Sequence, residues 1–337
     1  MAKKKKKLDI LRNDPWLEPF AEIIEGRHAD AIRKLKELTS DNPNLSDFAN
    51  AYHYFGLHRE ADGNWVFREY APNANDIKLI GTFNDWQEKE EFKLQPIGDG
   101  VWEIRLNHDR INHGDLYKLK VYWPGGQGER IPAYARRVVQ DPDTTIFSAQ
   151  VWAPQQPYEF KVKDFTPDVS PLLIYECHIG MSQSFEGVGT YEEFRTSVLP
   201  RIASDGYNAI QIMAIQEHPY YGSFGYHVSS FYAASSRFGT PDDLKRLIDD
   251  AHSRGIAVIM DIVHSHAVKN EVEGLGRFDG SPDMYFHGNE RREHPAWDSL
   301  CFDYGKNCTL HFLLSNCKFW LDEYRFDNPL FLLCRGR

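Results

Sequence analysis

Two short segments of the chain contain residue types that can bind a polar ligand. The segment 261–266 (DIVHSH) places an acid and two histidines within six residues, and the segment 216–227 is rich in Tyr, Phe and Gly. Asp261 and His266 can exchange hydrogen bonds with hydroxyl groups, and Tyr226 offers a flat ring face for stacking. Together they indicate a site for a ligand that carries many hydroxyl groups, such as a sugar.

The segment 261–266 also allows other interpretations. Asp and His side chains often cap helices or hydrogen-bond within loops, which would make the cluster structural. They are also common metal ligands, but no third histidine or acid stands nearby at matching spacing. We therefore predict neither a metal nor a cofactor. Tyr226 alone would more often be a core residue than a ligand-binding one.

Both segments follow apolar runs that could position them. Runs at 172–176, 209–213 and 257–263 predict buried strands, and helical stretches at 191–205 and 240–252 lie between them. Buried strands that alternate with helices indicate a parallel sheet, here the start of a (β/α)₈ barrel, in which ligands bind at the carboxyl ends of the strands. A doubly wound sheet is the competing fold, but no G-x-G-x-x-G follows any of these strands.

The preceding residues have a different character. Residues 1–50 show helical spacing of apolar residues, whereas residues 51–155 contain short alternating runs separated by turns, which predicts an antiparallel sandwich. Within this region Trp86 lies in a polar turn, and Lys118 and Trp123 lie on a later hairpin. An exposed Trp on a turn suggests a stacking surface, although the ring could also tuck under its own loop.

Composition limits the possible partners. The 337 residues carry a net charge of −10, which argues against nucleic acid as the main partner. No run of about eighteen apolar residues could span a membrane. The five cysteines are irregularly spaced without a C-x-x-C pair, which fits reduced thiols in a cytoplasmic protein. Aromatic residues make up 14% of the chain, an excess that suits either cores or carbohydrate surfaces.

The motifs together resemble the eukaryotic-type 1,4-α-glucan (glycogen or starch) branching enzymes of the α-amylase superfamily. The resemblance extends from about residue 14 to residue 327 and is carried by the segments 225–241, 261–270, 285–287, 297–299 and 312–316. It implies a fold that is α/β plus all-β: an N-terminal helical segment (1–50), a β-sandwich carbohydrate-binding module (51–155) and an incomplete (β/α)₈ barrel (170–337). That partial barrel would hold strands one to three and end at strand four.

The resemblance also implies a substrate and a set of binding residues. The expected partner is an α-glucan polysaccharide: glycogen, starch or amylose. Tyr226 would stack on the sugar at the cleavage site, His266 would bind its hydroxyls, and Asp261 would organise the site with an arginine from the fourth strand. Trp86, Lys118 and Trp123 occupy the glucan-contacting positions of the sandwich. Such enzymes cut an α-1,4 bond and transfer the freed segment to a 6-hydroxyl by a retaining double displacement.

The chain departs from the family at the fourth strand. The family pattern continues from Tyr-Arg-Phe-Asp into Gly-Phe-Arg-Phe-Asp-Gly, whose second aspartate is the nucleophile. Here Asp327 ends the first half, Leu330 stands at the arginine position and Leu332 at the nucleophile position. Asp327 is an alternative nucleophile, but it matches the loop before the strand. The acid glutamate and the later His-Asp pair belong to strands five and seven, which the chain does not contain.

We therefore predict a branching enzyme by family whose present chain is inactive. The alternatives are a non-catalytic glycogen- or starch-binding protein, and a scaffold or partner of the intact enzyme. An incomplete barrel would also leave an unpaired edge strand.

Overall fold

The computed structural model describes residues 8–40, 44–168 and 171–331. The chain forms two compact units, with the boundary between Ala49 and Asn50. The helical segment predicted at 1–50 corresponds to the first unit, and the sandwich and the barrel strands lie together in the second. Leu332 lies outside the described residues.

The first unit is helical, as predicted. Asp14 is the N-cap of a two-turn 3₁₀ segment, Pro15–Phe20. Its side chain accepts a hydrogen bond from the Trp16 backbone N–H at 2.9 Å, and Pro15 suits the first helical position. The α-helices of this unit are α1 (Asp9–Asn13), α2 (Ala21–Thr39) and α3 (Leu45–Phe48).

An antiparallel sandwich opens the second unit, which confirms the prediction for this region. It follows a short helix, α4 (Ala51–Tyr54). Its strands are β1 (Gly56–Arg59), β2 (Trp65–Tyr70), β3 (Asp76–Gly81), β4 (Gln95–Gly98), β5 (Val101–Leu106), β6 (Leu116–Trp123), β7 (Gly126–Arg130), β8 (Val138–Gln140) and β9 (Phe147–Gln150). One sheet has the order β1-β2-β5-β4, and the other has the order β3-β6-β9-β8 with β7 paired to β6. Alternate residues, such as Leu119 and Val121, are completely buried between them.

The rest of the second unit is built on a parallel sheet. The strands that follow the sandwich are β10 (Ile174–Cys177), β11 (Ala209–Ile212), β12 (Gln216–Glu217), β13 (Ser230–Ala234), β14 (Ala257–Ile262), β15 (His266–Val268), β16 (Glu293–His294), β17 (Ser299–Cys301) and β18 (Asn328–Phe331). The helices are α5 (Tyr191–Glu193), continued by a π-helical turn (Phe194–Val198) into α6 (Leu199–Ser204), then α7 (Pro241–Ser253) and α8 (Asn307–Tyr324). Strands β10, β11, β14 and β18 pair in parallel in chain order, as at the start of a (β/α)₈ barrel.

Local signals explain where α7 begins and ends. Thr240 and Asp243 form a reciprocal capping box, and Pro241 occupies the first turn. Gly255, just after the helix, has a φ of +75°, which a glycine adopts without strain. Because the turn closes within a few residues, β14 begins directly beneath the buried face of the helix.

Strands β10 and β18 are the outer strands of the described sheet. Pro329 pairs with Met260 at the β18 edge, a position at which a proline's missing N–H is tolerated. The opposite edge carries apolar side chains in solvent: Leu173 is 54% exposed and Ile174 43%. Among the described residues no strand pairs with the outer edge of β10.

The sandwich docks on the loop that follows β15. The guanidinium group of Arg130, which is 3% exposed, donates hydrogen bonds to the backbone carbonyls of Arg277 and Phe278 at 2.8–3.1 Å. Asn73 contributes its backbone N–H to the Asp279 carboxylate at 2.9 Å. These buried polar contacts fix the sandwich relative to the parallel sheet.

Candidate functional site

Three predicted site residues meet at the carboxyl end of the parallel sheet. The Tyr226 hydroxyl donates a hydrogen bond to Asp261 Oδ2 at 2.7 Å, and His266 Nε2 lies 2.9 Å from the Tyr226 backbone oxygen. Asp261 belongs to β14, whereas Tyr226 lies in the loop after β12. The carboxyl ends of neighbouring parallel strands share one edge, so residues 35 positions apart in the chain come into contact.

Asp261 is a buried carboxylate with one unused oxygen. Its side chain is 0% exposed, and Oδ1 has no hydrogen-bond partner among the described residues. Burial raises the pKa of the Asp261 carboxyl above its usual range, the Tyr226 hydrogen bond opposes this shift, and the negative charge of Glu176 adds to it. The unused oxygen leaves room for one further donor at the bottom of the site.

His266 holds Tyr226 in position. A carbonyl oxygen only accepts, so His266 Nε2 carries the proton, and Nδ1 accepts from the Ser265 hydroxyl at 2.9 Å. Burial lowers the pKa of His266 to about 4, so the ring is neutral at physiological pH. Both ring nitrogens are therefore engaged with protein groups.

Gly225 allows the tyrosine to reach the site. Its φ is +91°, and a Cβ at this position would lie 1.8 Å from the Ala214 carbonyl oxygen. A side chain would push the loop away from the sheet, and with it Tyr226. The Gly-Tyr pair in the sequence is thus a structural requirement of the site.

His264, the other histidine of the segment 261–266, faces away from this cluster. Its Nε2 lies 2.9 Å from Asn316 Oδ1 on α8, and it is 6% exposed. Burial lowers the pKa of His264 to about 4. It therefore ties the end of β14 to a helix instead of lining the site.

A cavity of about 580 Å³ opens above the cluster. Such a volume lies within the range that holds small organic ligands, about 300–1,000 Å³. Its walls are largely aromatic and imidazole rings: Tyr220, Tyr226, His227, His266 and Trp297. Of these, the sequence predicted Tyr226 and His266 as ligand-contacting residues, whereas Tyr220 and Trp297 were not among the predicted site residues. Trp297 carried the same signal as Trp86, a Trp within a polar turn.

A second aromatic surface lies on the sandwich. Trp86 is 38% exposed at a tight turn, where Asp85 and Trp86 both have a φ of +58°. This left-handed conformation is costly for residues other than glycine, and such strain persists where the surroundings impose it. Lys118 Nζ lies 5.9 Å from the Trp86 ring centre and 3.2 Å from Glu129. Trp86 and Lys118 therefore lie next to each other, with Trp86 exposed and Lys118 only 5% exposed. The glucan contacts expected of both stay predictions.

Trp123 does not join that surface. It stands five positions after Lys118 on β6, and side chains alternate between the two faces of a strand. Trp123 instead packs beneath Arg130 (4.9 Å), and a Cβ added at Gly280 would lie 2.1 Å from its ring. The Trp123 ring thus takes part in the contact between the sandwich and the loop after β15, and its expected glucan contact stays a prediction.

Asp327 lies at the opposite end of the sheet from the Tyr226–Asp261–His266 cluster. Its Oδ2 accepts hydrogen bonds from the Val258 backbone N–H (2.7 Å) and from His252 Nε2 (2.9 Å). Val258 lies three residues before Asp261 on β14, which corresponds to roughly 10 Å along the strand. Asp327 therefore joins the amino ends of β14 and β18.

The parallel register identifies the neighbour of Asp261 on the fourth strand. Asp261 pairs with Leu330, and Ile262 pairs with Phe331. Leu330 is the residue that the sequence comparison placed at the family's arginine position. The other departure, Leu332 at the nucleophile position, falls outside the described residues.

Other kinds of site find no support in the described part of the chain. No group of three or more His, Cys, Asp or Glu residues within 8–40, 44–168 and 171–331 is arranged to hold a metal ion. Over the same residues, no helix combines the length and apolar character needed to cross a membrane.

Two protein-family models match separate parts of the chain. The model for carbohydrate-binding module 48 (isoamylase N-terminal domain) matches residues 54–142, which include Trp86 and Lys118. The model for the α-amylase catalytic domain matches residues 196–295, which include the Tyr226–Asp261–His266 cluster.

Curated relatives match across almost the whole chain. The 1,4-α-glucan-branching enzyme of Yarrowia lipolytica is 44% identical over 328 residues, which is 95% of this chain and 47% of the relative. That of Dictyostelium discoideum is 41% identical over 326 residues, or 94% of this chain and 47% of the relative. The chain thus spans about half the length of the curated relatives it matches.

Solved structures confirm the fold. A putative α-amylase from Salmonella typhimurium superimposes with a TM-score of 0.68 at 22% identity, covering 82% of this chain and 43% of that one. The pullulanase SAP in complex with maltotetraose also gives a TM-score of 0.68, at 19% identity, covering 88% of this chain and 42% of that one. Likeness at this identity establishes the architecture, a sandwich followed by the first part of an α-amylase-type barrel.

Proposed function

We propose that the chain binds α-1,4-linked glucans such as glycogen or starch. The chain belongs to the 1,4-α-glucan-branching enzyme family of the α-amylase superfamily, and about 95% of its length matches members of that family. The single observation that carries this proposal is the Tyr226–Asp261–His266 cluster beneath an aromatic-walled cavity. A sugar ring presents apolar C–H faces and equatorial hydroxyls, which an aromatic ring beside fixed polar groups can recognise.

The cluster suits a stacking role for Tyr226. Asp261 fixes the Tyr226 hydroxyl, and His266 fixes its backbone, so the ring is held before a ligand arrives. Such preorganisation reduces the entropy lost on binding. The predicted contact of His266 with sugar hydroxyls remains a prediction, since both its ring nitrogens already have protein partners.

The sandwich supplies a second binding surface in this proposal. Trp86 is 38% exposed and offers its ring for stacking, whereas Lys118 is 5% exposed and its ammonium, paired with Glu129, lies beside the indole and supports it. Two surfaces on one chain raise the apparent affinity for a polymer, because binding at one surface increases the local concentration of glucan at the other.

We further propose that these 337 residues bind glucan without transferring it. The family reaction requires an ionised carboxylate beneath the anomeric carbon and a carboxylic acid about 5–5.5 Å away from it. Asp327 is engaged at the amino end of the sheet, and β18 places Leu330 beside Asp261. The sequence has leucine at the nucleophile position 332. This favours the non-catalytic glucan-binding alternative for the chain as it stands.

Co-sedimentation with glycogen tests the binding, and an iodine-spectrum branching assay on the same protein tests the chemistry. We expect retention on glycogen without α-1,6 transfer, and weaker retention for Trp86→Ala. Trp16→Ala, an exposed Trp of the first unit, is the matched control and should behave as the unchanged chain. Retention unaltered by Trp86→Ala would exclude the sandwich surface. Measurable branching, or a glycosyl adduct trapped on Asp327, would overturn the non-catalytic assignment.

The cysteines support a cytoplasmic location. Cys177, Cys301, Cys308 and Cys317 are unpaired in the described part of the chain, and free thiols persist in reducing compartments. Cell fractionation followed by thiol labelling tests this: recovery with secreted or vesicle proteins, or with disulfides formed, would contradict it.

A further inference from the structure

The hairpin formed by β16 and β17 places an aromatic ring over the cleft. Trp297 lies in its turn, and its backbone N–H donates to the His294 carbonyl at 3.2 Å. The Trp297 ring stacks on the His294 ring with centroids 3.9 Å apart and planes 10° apart. It also lies 5.3 Å from the ring of His266. Trp297 is thus covered by His294 on one face, while another part of it lines the cavity.

Several contacts hold this turn. Lys269 Nζ connects strand β16 to the turn, 3.0 Å from Glu293 Oε2 and 2.8 Å from Asp298 Oδ1. His227 Nε2 donates to the Trp297 carbonyl oxygen at 3.1 Å. The Asp298 backbone has a φ of +44°, a conformation that costs free energy and persists only when its surroundings impose it.

We propose that Trp297 is a second sugar-stacking residue of the cleft and that it binds the glucose unit adjacent to the one on Tyr226. This inference rests on the proposed glucan-binding function and extends it to a further residue. His294 acts as a positioning residue, because its ring fixes the orientation of the indole before the ligand binds. The ligand is an α-1,4-linked gluco-oligosaccharide of at least two units.

Exposure and orientation favour a binding role over a packing role. An indole is among the costliest side chains to leave in water, and core tryptophans of this chain such as Trp320 are completely buried. Trp297 is only half-buried, lies in a turn, and lines the same cavity as Tyr226 and His266. An α-glucan can cover its open surface while its hydroxyls remain in solvent.

The test uses calorimetric titration with maltoheptaose on the full chain carrying Trp86→Ala, which removes the sandwich surface. In that background we expect Trp297→Ala to weaken binding about tenfold, equivalent to about 1.4 kcal/mol. Trp297→Phe should recover part of the affinity, because it keeps a stacking face. His294→Ala should lose affinity as well, and His294→Phe should restore it. Trp16→Ala is the matched control and should leave the affinity unchanged.

The outcomes separate this inference from the proposed function. Equal affinity of Trp297→Ala and its background would overturn the inference while leaving glucan binding intact. Absence of maltoheptaose binding in the Trp86→Ala background would exclude the cleft as a glucan site and the inference with it. Failure of the unchanged chain to bind glycogen would instead remove the proposed function. Hydrogen exchange on the unchanged chain gives a measurement that needs no variant: maltoheptaose should protect residues 293–299, and unaltered exchange there would contradict the proposal.

Discussion

The hydrogen bond between Tyr226 and Asp261 can be measured through the stability of the chain. Tyr226→Phe keeps the ring and removes only the hydroxyl. Asp261 is 0% exposed, and its Oδ1 has no partner in the described residues, so the substitution leaves both carboxylate oxygens without the donors they need. A hydrogen bond to a charged group contributes about 1.5–3 kcal/mol to stability, whereas one between neutral groups contributes about 0.5–1.5 kcal/mol.

A double-mutant cycle isolates the charged part of this contribution. At pH 8 we expect Tyr226→Phe to lower the free energy of unfolding by about 2 kcal/mol in the unchanged chain and by about 1 kcal/mol in Asp261→Asn. The cycle therefore predicts a coupling of about 1 kcal/mol. Asp261→Asn alone should stabilise the chain at pH 8. Because burial raises the pKa of the folded Asp261 carboxyl, its stability contribution is lost as the pH rises through that pKa. At pH 8 the ionised carboxylate is therefore a net cost, which the neutral amide removes.

Urea unfolding followed by circular dichroism measures all four corners of the cycle. The second unit should be followed by its own transition, because the chain has two compact units. Equal costs of Tyr226→Phe in both backgrounds would refute the charged hydrogen bond. Any loss of stability in Asp261→Asn at pH 8 would refute the conclusion that the buried charge is a net cost.

Two further predictions concern pH and self-association. Burial lowers the pKa of several histidines to about 4: His58, His218, His264 and His266. Because each folded pKa lies below the unfolded value of about 6.5, stability is lost as the pH falls from about 6.5 to about 4. Burial also raises the pKa of Glu69 to about 8, so stability is lost as the pH rises from about 4.5 to 8. Urea midpoints should therefore be highest at about pH 7 and fall steeply towards pH 5, where unfolding takes up about three protons. In Glu69→Gln the decline of the midpoint above about pH 7 should disappear. A flat dependence of the midpoint on pH would contradict these pKa shifts. Ile174→Lys should reduce concentration-dependent light scattering without lowering the melting temperature, since the side chain is 43% exposed on the outer strand β10, and unchanged scattering would show that this edge does not mediate association.

The cleft could be predicted because it depends on strand ends. Asp261 ends a buried apolar run, and Tyr226 follows another. Once a parallel sheet is inferred, both must lie at the same edge. The loop conformation between them could be anticipated only at Gly225, where a glycine precedes the tyrosine.

The remaining part of the site depends on contacts distant in sequence. The position of Trp297 over His266 requires β17 to pair with β15, and no local pattern specifies that pairing. Trp123 is different, because its separation from Lys118 by an odd number of positions on one strand already places the two side chains on opposite faces. The family likeness made both residues glucan-contacting positions, and the alternation of a strand places them on different faces of the sheet.

Asp327 shows how register decides between two readings of one motif. Arg-Phe-Asp resembles a catalytic signature, yet the Asp327 side chain closes the amino ends of two strands, level with Val258. Asp261, three residues further along β14, stands level with Leu330. A strand rises about 3.3 Å per residue, so Asp327 lies roughly 10 Å along the strand from the level of Asp261 and Leu330. A carboxylate on this strand that contacts a ligand at the carboxyl edge would have to stand after Leu330. Moving Asp327 to the cleft would require β18 to slip by three residues, which would break its hydrogen bonds to His252 and Val258. The motif alone would suggest a catalytic role for Asp327, but its position in the sheet argues against one.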